Sequence, residues 1–189
     1  MKQILFSFIA AGALFLASCG ATDTNKETSK DSVSEVKTSS ETLENRLFRV
    51  ENADGEQGYA NAKGDTVIAI GKYMICFTDT FTNVAIVLEP STGYIAIDKK
   101  ETVLYEVFPF DNGPDYPSEG LFRIIKNEKI GYADEDGKIV IEPQFSCAYP
   151  FEDGKAKVTM NCTVKQEDEH NIWESKEWYY IDKSGNKVK

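Results

Sequence analysis

A five-residue strand-like segment returns three times along the chain, and that return decides what the chain can fold into. Arg46-Leu47-Phe48-Arg49-Val50 is followed by Asn83-Val84-Ala85-Ile86-Val87, then Gly120-Leu121-Phe122-Arg123-Ile124, then Gly154-Lys155-Ala156-Lys157-Val158. The starts lie 37, 37 and 34 residues apart. A second marker keeps step with the first, because Asn61, Asp98, Asp134 and Asp182 follow those starts by 15, 15, 14 and 28 residues. A period in this range means one supersecondary unit stacked on copies of itself.

Each unit reads as three strands. The opening segment is apolar or alternating and rich in β-branched and aromatic residues, which suits a strand. A turn follows, then a second strand through Gly58-Tyr59, Gly131-Tyr132 or Tyr179-Tyr180. The marker residue then opens a tight turn: Asn61-Ala62-Lys63-Gly64, Asp134-Glu135-Asp136-Gly137, Asp182-Lys183-Ser184-Gly185. Asn or Asp in first place bonds the turn backbone, and Gly in fourth place accepts positive φ. The second unit has Glu101 where that Gly should stand, so a longer or different turn is expected there. A third strand leaves through Thr66-Val67-Ile68-Ala69-Ile70 or Lys138-Ile139-Val140-Ile141 and is expected to stop at Glu142-Pro143, since Pro donates nothing to a ladder. The aromatics Phe145, Tyr149 and Phe151 close the unit, and Tyr59, Tyr94, Tyr132 and Tyr180 are expected to line the core rather than stack on glycans.

The run Tyr132-x-Asp134-x-x-Gly137-Lys138-Ile139-Val140-Ile141-x-Pro143-x-Phe145, then Phe151-x-x-Gly154-x-Ala156-x-Val158, resembles the WG-repeat family of bacterial β-rich repeat proteins. Residues 132–158 carry the likeness best, with weaker copies over 46–189. The pair that names the family is degenerate, reading Gln57-Gly58, Thr92-Gly93, Ile130-Gly131 and Trp178-Tyr179. The resemblance implies repeated antiparallel hairpins and a role in association, and it brings no catalytic motif. The expected fold is all-β: about four hairpin or three-stranded units in sequence order, open or propeller-like, over residues 46–189.

Ahead of this domain stand two segments of other kinds. Met1-Lys2-Gln3 is a short positive start, and the 14 residues Ile4 to Ala17 form an apolar stretch. That suits an export signal and falls short of the roughly 20 residues of a membrane-spanning helix. Leu16-Ala17-Ser18-Cys19 resembles the bacterial lipoprotein lipobox, which implies a signal peptide over 1–18 and a lipid on Cys19. The alternative is ordinary secretory cleavage after Ala17 or Ser18 with Cys19 free. Gly20 in place of Asp, by resemblance to enteric lipoproteins, implies the outer membrane, in either leaflet. Residues 19–45 read as a disordered tether: Gly20 to Thr42 holds no aromatic, and its large aliphatics are Val33 and Val36. Such a stretch buries too little to offset ordering entropy.

Charge and chemistry narrow the function further. With 21 basic and 31 acidic residues the chain carries −10, so nucleic acid and anionic lipid surfaces repel it. One histidine, His170, sits in the charged run Gln166-Glu167-Asp168-Glu169-His170, where a solvated role is expected. There is no His cluster, phosphate loop, Cys-x-x-Cys or calcium-loop pattern, so no metal or cofactor is expected. Cys76, Cys147 and Cys162 are an odd set, in which Cys147 and Cys162 flank one strand and could bridge.

The fourth unit carries about 14 extra residues, roughly Asn161 to Glu174. They are a candidate binding loop through Glu167, Asp168, Glu169, His170 and Trp173, or else a long hairpin whose Trp173 caps the core. Two function classes follow. One is a lipid-anchored envelope module, not an enzyme, that presents a β-repeat surface to a protein, peptide or glycan. The other is an envelope hydrolase working through a pair of carboxylates.

Overall fold

A computed structural model describes residues 43–167 and 170–189. Signal segment 1–18, Cys19 and the Gly20 to Thr42 stretch lie outside the described residues, as do Asp168 and Glu169.

The domain is all-β, with every strand pairing antiparallel. Unit one contains β1 (Leu47–Glu51), β2 (Gln57–Asn61) and β3 (Thr66–Ile68), and returns through β4 (Ile75–Cys76) and β5 (Thr80–Phe81). Unit two is β6 (Ala85–Glu89), β7 (Gly93–Ile97) and β8 (Val103–Val107), followed by a small hairpin of β9 (Pro109–Phe110) and β10 (Gly113–Pro114). Unit three is β11 (Leu121–Lys126), β12 (Lys129–Asp134) and β13 (Ile139–Phe145), followed by β14 (Cys147–Ala148). Unit four opens with β15 (Lys155–Thr159), makes an excursion through β16 (Thr163–Glu167) and β17 (His170–Glu174), and resumes with β18 (Tyr179–Asp182) and β19 (Lys187–Val188). Units two and three fuse because β8 pairs with β11, and β4 of unit one adds to β6 to complete a seven-stranded sheet; the other strands of unit one form one four-stranded sheet, unit four and β14 form another, and no sheet among the described residues closes on itself.

The repeat markers meet in register. Leu47 faces Asn61, Leu121 faces Asp134 and Lys155 faces Asp182, so in units one, three and four the same two positions close the hairpin. The likeness reaches individual atoms. Tyr59 donates its hydroxyl to the Thr78 carbonyl at 2.8 Å and meets Phe81 edge-on at 4.9 Å. Tyr132 donates to the Tyr149 carbonyl at 2.7 Å and meets Phe151 edge-on at 4.9 Å. Burial pushes both phenols far above their ordinary value, so they remain neutral donors.

Each seam between units has its own core. Leu47, Tyr59, Ile68, Val87 and Ile95 fill the first, Tyr105, Phe122, Ile124 and Ala133 the second, and Tyr132, Phe145, Phe151, Val158 and Ile181 the third. Unit two therefore supplies two cores from opposite faces of the same strands. Doubly covered strands read as unbroken apolar runs, which is why Val84 to Val87 shows no alternation.

Four expectations are corrected. The Asp98 turn is neither longer nor different: Glu101 donates its N–H to the Asp98 carbonyl and takes φ 62 itself, as Gly64 does at φ 87 in unit one. The Glu101 carboxylate is held by Lys72 and by the Tyr73 hydroxyl, contacts that offset the left-handed backbone. Next, β13 continues through Pro143 to Phe145, because the ladder slips there: Ile130 faces Phe145 while Tyr132 faces Ile141. The prolyl nitrogen sits in that bulge and is not asked to donate.

Gly93 is also not the equivalent of Gly58. It opens β7 opposite Glu89, directly after the β6–β7 turn, at φ 92 with open space around it, and Tyr94-Ile95 occupies the place of Gln57-Gly58. A side chain fits at Ile95 because it faces Glu106 in regular register. At Gly131 the third strand bulges across, and at Gly58 the chain leaving β3 passes close through Ile70, so an added Cβ would lie 2.5 Å from the Ile141 oxygen or 2.7 Å from the Ile68 oxygen. The tyrosines, finally, divide: Tyr59 and Tyr132 are fully buried, Tyr94 is half-buried and Tyr180 is exposed.

Candidate functional site

Two hairpins stand out from the repeat scaffold, and a groove of about 870 Å³ lies between them. The first finger is β9–β10, which unit two projects just before unit three begins. Its base is fixed by a buried ion pair. Asp115 accepts from Arg123 Nε at 2.9 Å, from Nη2 at 2.6 Å and from the Arg123 backbone N–H at 2.8 Å. Both side chains are 3 % exposed. The remaining guanidinium nitrogen donates to the Ala148 carbonyl at 3.3 Å, and the guanidinium plane covers Phe108 at 4.2 Å. A charge this deeply buried is tolerated because each guanidinium nitrogen finds an acceptor, the paired carboxylate balances it, and a ring covers its face.

The second finger is β16–β17, the insertion in unit four. Its base is fixed by a disulfide between Cys147 of β14 and Cys162, 15 residues apart with Cα atoms separated by 5.9 Å. Cys76 is free and buried in the first core. Trp173 faces Val164 across the finger and turns inward, half-buried against the third core. Its ring meets Phe108 at 5.7 Å and Tyr149 at 5.3 Å, both edge-on. Tyr149 in turn meets Trp178 at 5.4 Å, and Lys157 lies over Trp178 at 4.9 Å. Phe108 thus touches the anchors of both fingers, the Arg123 guanidinium and the Trp173 indole.

The proposed loop residues separate in space. Glu167 and His170 are paired at the end of the finger, with Asp168 and Glu169 beyond the described residues. Trp173 lies at the opposite, inner end and packs as a wall of the groove. Among the described residues no group of three or more metal-ligating side chains converges.

The groove's apolar lining was not singled out in the sequence. Ile125 and Tyr149 belong to the scaffold, Phe110 to the first finger, and Val164 and Ile172 to the second. Phe110 is 53 % exposed and Val164 62 %. The available signal was Phe108-Pro109-Phe110 followed by Asn112-Gly113, an apolar triplet before a turn pair, outside the repeat markers. On the far side of the disulfide lies a more polar hollow of about 990 Å³, bounded by Lys129, Ser146, Asn161, Glu177 and Trp178.

No curated protein and no solved structure matches the chain. Residues 130–161 do match the family model of the WG containing repeat. The matched stretch opens at the crowded Ile130-Gly131 pair, runs through β13, β14 and β15, and ends where the second finger departs. The likeness to the WG containing repeat therefore spans the junction of the third and fourth units.

Proposed function

We propose that this chain is a binding module whose repeat scaffold offers the groove between its two fingers to an apolar segment of another protein. The observation that carries the reading is exposure. Phe110, Tyr149, Val164 and Ile172 are each at least 39 % exposed yet gather around one groove. Contiguous apolar surface on a soluble fold marks an interaction site far more often than isolated apolar residues do. Fingers pinned by an ion pair and a disulfide keep the groove open before a partner arrives, which lowers the ordering cost of binding.

The module works outside the cytoplasm, held to a membrane by lipid on Cys19. The motif Leu16-Ala17-Ser18-Cys19 behind the apolar stretch Ile4 to Ala17 supports this, and so does the Cys147–Cys162 bridge, since disulfides persist in oxidising compartments. An acyl chain gains about 0.8 kcal/mol per buried CH₂, so lipid on Cys19 would hold the domain at a surface that its charge alone would avoid. The carboxylate-hydrolase alternative has less behind it. Asp115, the buried carboxylate among the described residues, is fully engaged by Arg123.

Both parts are open to test in intact cells. The Cys19→Ala protein should leave the membrane fraction; if it stays there after processing, the lipid anchor is wrong. A photo-crosslinking residue at position 110 should give discrete protein adducts that vanish in an Ile172→Ser background with an unchanged melting temperature. Adducts that persist in that background would place binding elsewhere.

A further inference from the structure

We infer that the groove's partner is an extended peptide segment with an apolar centre and Lys or Arg flanking it. The inference rests on the binding-module reading and adds the chemistry of the occupant.

Charge decides between occupants. Three charged side chains line the groove: Asp111, Glu128 and Arg123. Arg123 is buried and neutralised by Asp115, so it presents no free positive charge. Asp111, on the tip of the first finger, and Glu128, in the β11–β12 turn, are exposed, and no ion pair engages either among the described residues. Neither lysine of that turn, Lys126 or Lys129, lines the groove; Lys129 bounds the polar hollow and donates to Ser146, which the two cavities share, at 3.0 Å. The groove is therefore apolar within and anionic at its rim, set in a chain of net charge −10. A second copy of the chain or an anionic membrane would bring like charge to that rim, whereas a cationic flank would be drawn to it.

The backbone favours an extended occupant. Strands β16 and β17 line the groove through Val164, Ile172 and Trp173 and pair with each other and with no other described strand, so each keeps an outer edge of unpaired N–H and C=O groups. A peptide laid along such an edge gains main-chain hydrogen bonds, while alternate side chains enter the apolar lining. The groove's 870 Å³ falls within the range that holds a compact ligand or a few peptide side chains.

Fluorescence anisotropy with three labelled synthetic peptides tests this. All share one β-branched and aromatic centre, and they differ in flanks of Lys, Ser or Glu. The Lys-flanked peptide should bind most tightly, with an advantage that shrinks as salt rises. Replacing Asp111→Asn together with Glu128→Gln should cut that advantage by roughly threefold to tenfold, the effect of two exposed charges. The same neutralisation at the far end of the array, Glu51→Gln with Asp54→Asn, should leave it intact. Ile172→Ser should abolish binding of all three peptides. If the peptides bind alike while Ile172→Ser still abolishes binding, the charge inference is overturned and the groove survives. If Ile172→Ser changes nothing, the groove itself fails. Peptides that do not bind, together with self-association lost in Ile172→Ser, would make a second copy the occupant and overturn the proposal.

Discussion

Gly131 shows how much one missing Cβ can determine. The bulge that carries β13 past Pro143 brings the Ile141 oxygen to 2.5 Å and the Pro143 nitrogen to 2.6 Å from where a Cβ would stand. Both are backbone atoms, so no side chain can swing aside. Gly131→Ala should cost about 1–3 kcal/mol or more by overpacking, read as a fall in the denaturant midpoint. An unchanged midpoint would mean that the bulge is not fixed as described. A second residue-scale expectation concerns acid. The Asp182 carboxylate accepts the Asn186 and Ser184 backbone N–H groups, the first being the larger cause, and its pKa is held below the ordinary 3.8. The stability this adds is complete above pH 3.8 and is lost as pH falls through the lowered folded value. Asp98 behaves alike, with the Thr102 N–H as its leading cause. Asn61 makes the same bonds in unit one without a charge. Asp98→Asn with Asp182→Asn should therefore leave the melting temperature at pH 7 almost unchanged and flatten its decline in acid; an undiminished decline would contradict the assignment. The turn residues were legible in the sequence because Asx chemistry is local. The misplaced Gly93 was not, because a turn glycine and a crowded-strand glycine look alike until the third strand's register is known.

At the scale of elements, the two fingers depend on different chemistry, and both depend on contacts distant in sequence. The insertion was legible as an interruption of the period, and its two alternatives differ in where Trp173 points. In the structure Trp173 rests on Phe108, from a different unit, a contact that no periodicity in the sequence announces. Trp173→Ala should cost about 3 kcal/mol, at the lower end for Trp because the ring is half-buried. A melting temperature unmoved by the change would show that the ring does not hold the finger. Cys147→Ser with Cys162→Ser should remove about 3 kcal/mol in the chain-entropy model for a 15-residue loop, and the loss should appear under oxidising conditions alone. Equal stability of the two proteins under oxidising conditions would mean that the bridge does not tie the finger to β14. The β9–β10 finger escaped the sequence reading altogether. It is short, it lies between repeats, and its anchor pairs Asp115 with an arginine that in the sequence is one more alternating strand residue.

Across the whole molecule, the repeat explains the scaffold and the departures from it explain the groove. Stacked hairpins with one core per seam follow from the period, the turn signals and the apolar runs, and all of these are local. Joining units two and three, with β4 of unit one, into one seven-stranded sheet depends on β8 meeting β11, a pairing between units that the markers do not specify. The site is less legible still, because its lining comes from units two, three and four and converges only after stacking. The central claim is that a ligand engages the fingers and not the repeat scaffold at large. Hydrogen–deuterium exchange with and without the Lys-flanked peptide tests it most directly. The account predicts added protection in Pro109–Pro114 and Thr163–Glu174, with Leu47–Ile68 in the first unit unchanged. Protection that is spread evenly over the four units, or centred on the first, would contradict it.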